Sequence, residues 1–216
     1  MTSTTKLDPA VQNLLAQAAE WHALGMLFQC PSPAWKQQLA NLRQEIVEPD
    51  VIRAMELAVV DASEGAFHSI LGPGGPAPAR EVSYRDMIQL GYLMSELSTY
   101  YDAFEFRPAT SEAPDHISVE AGFIGFLRLK EAYALADGDQ ERASIAREAA
   151  ERFRREHLSY VAEPLSSALD HSGEPYLEQA GRALLRRTGP REKQIFEILD
   201  QETAGLDDGI FDCGPS

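Results

Sequence analysis

The sequence predicts an all-α helical bundle, and three observations support this fold class. Apolar residues recur at helical spacing along most of the 216-residue chain. No segment alternates apolar and polar residues as a half-buried strand does, and no two segments are joined by a typical hairpin turn. Asp8-Pro9 and Ser32-Pro33 combine an N-cap residue with proline at the first helical position, where its missing N–H costs nothing.

Three helices are predicted in the first third of the chain. Asp8 and Ser32 cap the first two, and Asp50 begins the third. Each carries one apolar face, as expected of helices that pack around a core. The predicted ranges are 9–29, 32–47 and 50–65.

A glycine- and proline-rich segment interrupts the helical pattern after residue 70. Leu71 to Ala79 contains three glycines and three prolines, a composition that neither a helix nor a central strand tolerates. We expect this segment to be a hinge between two helical subdomains, approximately 1–70 and 80–216, that share one core and form a single domain.

Helical spacing resumes at Ser83. One helix is predicted to begin at Pro114, and another to be kinked or interrupted at Pro164, which has no backbone N–H to donate. The final acidic stretch, 205–216, is expected to be a mobile tail. The predicted ranges after the hinge are 83–106, 114–137, 139–165, 174–187 and 190–203.

The charge and cysteine content exclude several classes of protein. The 34 acidic residues outnumber the 19 Lys and Arg, which gives a net charge of −15 and disfavours nucleic acid as a partner. Cys30 and Cys213 are far apart and suggest neither a disulfide framework nor a zinc site. The chain begins without a secretory signal and has no apolar run of about 18 residues. We therefore expect a soluble cytoplasmic protein without stable membrane insertion.

Motifs for catalysis or cofactor binding are not recognisable in the sequence. It lacks HExxH, the ExxH pattern of di-iron bundles, the Gly-Lys-Ser/Thr ending of a phosphate-binding P-loop, and GxSxG. The prediction is a protein that is not an enzyme and has no cofactor. One alternative stays open, a helical metal-binding protein or enzyme that uses Asp115, His116 and Glu120, although only His116 and Glu120 share a predicted helix face.

The segment EAPDHIS, residues 112–118, is the most distinctive feature of the sequence. Pro114 fixes a helical φ, so Asp115 and His116 are expected to project from a rigid helix start beside the loop 107–113. In the structural reading, Asp115 complements the helix dipole and His116 caps nearby backbone. In the functional reading, the two side chains bind a ligand.

Three segments resemble the TorD/DmsD/NarJ family of cytoplasmic chaperones, which mature molybdenum oxidoreductases. EAPDHIS resembles the family signature E-P-x-D-H followed by an aliphatic residue, and GPGGPAPAREVSYRD resembles its Gly/Pro-rich hinge with a P-x-E-S-x-Y/W segment. FRREHLSYVAEPL resembles its F-x-x-x-H-L-x-x-W helix. This chain departs from the family at Ala113, at the inverted order Val82-Ser83, and at Tyr160 in place of tryptophan.

The resemblance implies a chaperone that binds the N-terminal leader and the apo form of a molybdenum-containing catalytic subunit. The leader is often a twin-arginine signal peptide, and binding delays export until the cofactor is inserted. The resemblance also implies a monomer that can form a domain-swapped dimer. It leaves open which enzyme is the client and whether its leader is cleaved. The predicted client-peptide site comprises Asp115, His116, Glu112, Pro114, Pro78, Tyr84 and Tyr101.

The residues around this site also suit a basic, partly apolar leader. Residues 94–120 contain six acids and one arginine, so an arginine-bearing peptide would meet a negative surface. The apolar part of the leader needs a groove lined by aromatic and aliphatic residues. The candidates for that lining are Tyr84, Tyr92, Tyr100, Tyr101 and Phe104.

Overall fold

The computed structural model describes residues 7–191, and it confirms the all-α fold class. This part of the chain has nine α-helices and no β-strand beyond one isolated bridge between Arg80 and His116. Among these helices, none has the length and apolar character required to cross a lipid bilayer. The helices are α1 (Pro9–Leu27), α2 (Pro33–Leu42), α3 (Pro49–Asp61), α4 (Glu64–Leu71), α5 (Leu90–Ala103), α6 (Ile117–Ala136), α7 (Gln140–Phe153), α8 (Ser159–Leu169) and α9 (Pro175–Thr188).

The helices before the hinge begin at the predicted capping residues. The Asp8 carboxylate accepts a hydrogen bond from the backbone N–H of Ala10 at 2.7 Å, and the Ser32 hydroxyl accepts one from Trp35 at 3.1 Å. The second helix is shorter than predicted, because the chain tightens into a 3-10 turn over Arg43–Glu45. The predicted third helix is two helices, since Ala62 leaves the helical conformation and Ser63 caps α4.

Two predicted helix starts after the hinge are wrong. Residues 81–84 form a 3-10 turn and α5 begins only at Leu90, because the backbone of 79–81 is bonded to 115–117 and Met87 has a left-handed φ of 62°. Similarly, α6 begins at Ile117 rather than at Pro114. His116 has extended backbone angles and is the N-cap of that helix.

Pro164 does not interrupt its helix, so that part of the prediction is wrong. It lies inside α8, and the irregular region is a π-helical turn over Arg154–Leu158 that joins α7 to α8. Such turns insert one extra residue into an α-helix and often occur at functional sites. The predicted helix 190–203 extends beyond the described residues, and the predicted mobile tail 205–216 lies wholly outside them.

One hydrophobic core includes residues from both sides of the segment 71–79. The helix α1 packs along α6, and α3 packs along α9. In both pairs, one helix precedes residues 71–79 and the other follows them. Close approach of α1 and α6 depends on two glycines. A Cβ at Gly25 would lie 2.8 Å from the backbone oxygen of Ser118, and one at Gly125 would lie 3.0 Å from that of Ala18.

Substitution of Gly25 tests this close approach. We expect Gly25→Ala to lower the free energy of unfolding by about 1–3 kcal/mol, because the new methyl group meets backbone that cannot rotate away. Gly122→Ala, on α6, is the matched control, since its nearest atom outside the local helix is Phe106 Cζ at 3.9 Å. That control should be neutral or stabilising by up to about 1 kcal/mol through helix propensity. Urea unfolding measures both, and equal effects would contradict the prediction.

Candidate functional site

The three segments that carry the family resemblance meet in a buried polar network. The backbone N–H of Glu81 donates to the carbonyl of Asp115 at 2.8 Å, and that of Ile117 donates to the carbonyl of Ala79 at 2.9 Å. The Glu81 carboxylate also lies 3.1 Å from Nδ1 of His157 in the π turn. Residues 79–81, 115–117 and 157 are therefore in direct contact.

Asp115 is fully buried, so the expectation that its side chain projects from the helix start is wrong. Its carboxylate accepts a 2.8 Å hydrogen bond from Nε of Arg80, whose guanidinium also approaches to 2.6 Å. The backbone N–H of Val82 approaches the second oxygen at 3.4 Å. Arg80 itself is partly exposed. The Asp115 carboxylate therefore holds residues 80–82 in place, and neither of its oxygens is accessible at the surface.

His116 is also buried, and its ring is oriented by the start of α6. Nδ1 accepts a hydrogen bond from the backbone N–H of Ser118 at 3.2 Å and lies 2.7 Å from the Ser118 hydroxyl. This arrangement assigns the ring proton to Nε2, which lies 3.9 Å from the partly exposed carboxylate of Glu112. Burial lowers the pKa of His116, so the ring is neutral near pH 7.

Two glutamates near the start of α6, Glu81 and Glu120, are fully buried. Glu81 accepts a 2.6 Å hydrogen bond from Arg85, whose guanidinium also lies 4.0 Å from the ring centre of Tyr160. Glu120 is fully buried, and neither of its oxygens has a hydrogen-bond donor among the described residues. Burial, reinforced by the neighbouring Glu81 carboxylate, raises the pKa of Glu120 well above its ordinary value. The folded state therefore favours the protonated, uncharged form of Glu120.

The remaining predicted site residues are buried or half-buried. Tyr101 is buried, and its hydroxyl donates to the carbonyl of Pro114 at 2.8 Å. Tyr84 is half-buried, and burial raises its pKa to about 12. Pro78 is half-buried in the segment that leads to Arg80. The structure therefore brings the predicted residues near one another but leaves few of their atoms accessible.

An exposed groove lies between α5 and α7, next to the network. It has a volume of about 500 Å³, and Tyr92, on its wall, is 65% exposed. Tyr100 connects the groove with the network, because its ring packs edge-on against His157 at 5.5 Å. The lining residues are Tyr92, Ser95, Glu96, Thr99, Tyr100, Ala103, Phe104 and Arg152.

A second hollow continues from Phe104 toward the end of α6. It has a volume of about 460 Å³, and two exposed apolar side chains, Tyr133 and Ile145, stand on its walls. Lys130, Asp137, Asp139 and Arg142 also line it, and Arg142 forms an ion pair with Asp139 at 3.2 Å. Because Phe104 borders both hollows, they form adjacent parts of one surface.

Glu96 is the carboxylate of the groove that has no ion pair or hydrogen bond with another residue in 7–191. The nearby Glu156 is engaged, since it accepts hydrogen bonds from the Tyr100 hydroxyl at 2.7 Å and from Nε of Arg152 at 2.8 Å. Burial opposes the charge of Glu156, but these two hydrogen bonds and Arg152 outweigh it and lower its pKa. A carboxylate without an ion pair in a groove that also contains Tyr92 and Tyr100 is suited to a cationic side chain.

Sequence reasoning missed Glu96, although a signal for it was present. Glu96 stands four residues after Tyr92 and four before Tyr100, which puts the three side chains on one face of α5. Of the aromatic residues predicted to line a groove, Tyr92, Tyr100 and Phe104 do so, whereas Tyr84 and Tyr101 are not among the lining residues.

The three residues of the metal-binding alternative do not form a cluster of ligand atoms. Two groups of metal-ligating atoms occur within 7–191, and neither includes Asp115, His116 or Glu120.

Comparison with known proteins gives no family for the chain. No protein-family model matches it, and no curated protein matches it either. Its function is therefore inferred from its own side chains and their geometry.

Proposed function

We propose that this chain is a maturation chaperone of the TorD/DmsD/NarJ type. In this proposal it binds the N-terminal leader of a molybdenum-cofactor oxidoreductase subunit in the cytoplasm and assists folding and cofactor insertion before export or assembly. It acts by binding and not by catalysis. The observation that carries the proposal is the aromatic groove on α5, which is lined by Tyr92, Tyr100 and the unpaired carboxylate of Glu96.

Contact between the three resembling segments supports the family assignment. Glu81 and His157 are 76 positions apart and Arg80 and Asp115 are 35 apart, yet each pair is in direct contact. A buried carboxylate needs its partner in the same fold, because an unpaired buried charge is strongly destabilising. The three segments therefore have a physical reason to occur together in one chain.

The groove has the chemistry that a leader peptide requires. An apolar peptide segment needs exposed aromatic surface, and Tyr92, Tyr100 and Phe104 provide it along one helix. The neighbouring hollow, with Tyr133 and Ile145, continues this apolar surface, so more than one side chain of a peptide could be in contact with it. In the proposal, the apolar part of the leader lies along these rings.

Charge favours a basic peptide over an acidic one. The net charge of −15 attracts cationic ligands at long range, and Glu96 provides a specific acceptor at short range. An arginine guanidinium can donate two hydrogen bonds to Glu96 while its face rests on Tyr92 or Tyr100. The buried network of Asp115, His116 and Glu81 then positions α5 rather than contacting the leader.

The test is calorimetric titration with a synthetic twin-arginine leader peptide. We expect Glu96→Gln to weaken binding about tenfold, because it removes a charge-assisted hydrogen bond and keeps the side-chain size. Glu45→Gln, at an exposed position in the 3-10 turn before α3, removes the same charge at a site outside the groove and should have little effect.

Variation of the peptide separates charge from apolar recognition. Replacing the paired arginines with lysine should weaken binding less than replacing them with glutamine, because lysine keeps the charge although it loses the planar geometry. The difference should shrink as salt rises, since screening shortens the reach of exposed charges to about 8–10 Å. Equal affinity of the wild type and Glu96→Gln for all three peptides would contradict the proposed site.

A further inference from the structure

Three metal-ligating side chains of different chemistry converge where the end of α1 meets α4. Cys30 follows α1, and Glu64 and His68 are one turn apart on α4. The Cys30 sulfur lies 3.7 Å from Nε2 of His68, and the same nitrogen lies 3.7 Å from a carboxylate oxygen of Glu64. One ligand atom from each residue lies within 4.8 Å of the other two.

We propose that Cys30, Glu64 and His68 bind a divalent metal ion of the zinc type. With these separations, a point equidistant from the three ligand atoms lies within about 2.4 Å of each. Zinc bonds to sulfur are about 2.3 Å long, and those to histidine nitrogen and carboxylate oxygen are about 2.0–2.2 Å. Tetrahedral coordination places the sulfur and oxygen ligands about 3.6 Å apart, and rotation of the partly exposed Cys30 and Glu64 side chains can bring these two atoms together.

The ligand types favour zinc among the common divalent ions. Sulfur and imidazole ligands disfavour magnesium and calcium, which select oxygen, whereas zinc accepts sulfur, nitrogen and oxygen together. Three protein ligands leave a fourth tetrahedral position for water or for another carboxylate.

The arrangement does not suit the other common use of a Cys–His pair, which is nucleophilic catalysis. In a catalytic triad the acid holds one ring nitrogen and the nucleophile meets the other, whereas here both neighbours approach Nε2. Burial, followed by the charges of Glu64 and Glu112, raises the pKa of the Cys30 thiol, although a nucleophilic cysteine needs a lowered one. A bound cation supplies the positive charge that would stabilise the thiolate.

Metal binding at this position would connect two parts of the fold. It would tie α4, which ends at the glycine- and proline-rich segment, to the turn between α1 and α2. Binding releases the thiol proton to solvent, so the affinity should rise with pH.

The test uses cobalt as a spectroscopic probe on the full-length, reduced, metal-free chain. We expect Co²⁺ to produce a thiolate-to-cobalt charge-transfer band and the intense visible bands of four-coordinate cobalt, and Zn²⁺ to displace it. Cys30→Ser should abolish the charge-transfer band. His68→Ala should weaken Co²⁺ binding by more than about 100-fold, since loss of an outer partner alone costs about 10–100-fold.

Two matched controls make the assignment specific. Cys213→Ser removes the other cysteine of the chain, and His171→Ala removes an exposed histidine at the end of α8; both variants should bind Co²⁺ as the wild type does. Zn²⁺ should raise the melting temperature of the wild type and not that of Cys30→Ser. Absence of the thiolate band in the wild type, its retention in Cys30→Ser, or its loss in Cys213→Ser would each overturn the proposal. The test does not depend on leader binding.

Discussion

Replacement of Phe123 by alanine is expected to lower the free energy of unfolding by about 3–5 kcal/mol, which is typical of a large aromatic residue deleted from a core. Phe123 is fully buried in α6. Its ring packs edge-on against Tyr101 at 4.9 Å and against Phe153 at 4.8 Å. Because these partners belong to α5 and α7, the cavity left by the missing ring would weaken the packing of α5, α6 and α7.

Phe126→Ala is the matched control for this effect. Phe126 is on the same helix but half-buried, and its ring contacts Phe106 at 5.3 Å and the Lys130 ammonium at 5.0 Å. We expect no more than about half of the Phe123 loss, because less apolar surface leaves water at this position. Chemical denaturation of both variants measures the difference. Similar losses would mean that the aromatic cluster does not hold α5 against α6 and α7.

Glu120→Gln is expected to stabilise the protein at neutral pH and to flatten its pH profile. Burial and the Glu81 carboxylate raise the pKa of Glu120 well above its ordinary value of 4.5, so the folded state keeps a proton that the unfolded state releases. The folded state therefore binds more protons, and the free energy of unfolding falls as pH rises above that value. The slope from this one group reaches about 1.4 kcal/mol per pH unit. Glutamine cannot ionise and removes this slope.

Subtraction of the two pH profiles isolates the contribution of Glu120. Burial lowers the pKa of His22 and His116, and these groups act in the opposite direction, since their loss of protons on folding makes stability rise with pH toward 6.5. Both histidines are present in wild type and variant, so their effect largely cancels. Glu141→Gln, at an exposed position on α7, is the control and should leave the profile unchanged. Parallel profiles for the wild type and Glu120→Gln would contradict the prediction.

Local sequence features predicted most of the helices. The apolar spacing and the caps at Asp8 and Ser32 determine the starts of α1 and α2 through contacts within three residues along the chain. The starts near residues 83 and 114 could not be found in this way. They depend on backbone hydrogen bonds between 79–81 and 115–117, which helical propensity does not encode.

The candidate site was predictable in composition but not in exposure. The segments around Glu81, Asp115 and His157 were recognisable as motifs, but their burial follows from pairings across 35 and 76 positions. A local sequence motif does not show which residues far apart in the chain are close together in space. Glu96 differs, because its spacing from Tyr92 and Tyr100 is local and could have identified the groove face of α5.

The geometry between α7 and α8 depends on the number of residues in the π turn that joins them. A π turn contains one residue more than the α-helical turn it replaces, so it has the character of a single-residue insertion retained in a helix. His157 lies within this turn, so deletion of one residue between Phe153 and His157 would change the local backbone that places its ring beside Glu81. The additional residue of the π turn is therefore part of the geometry that joins the segments of Glu81 and His157.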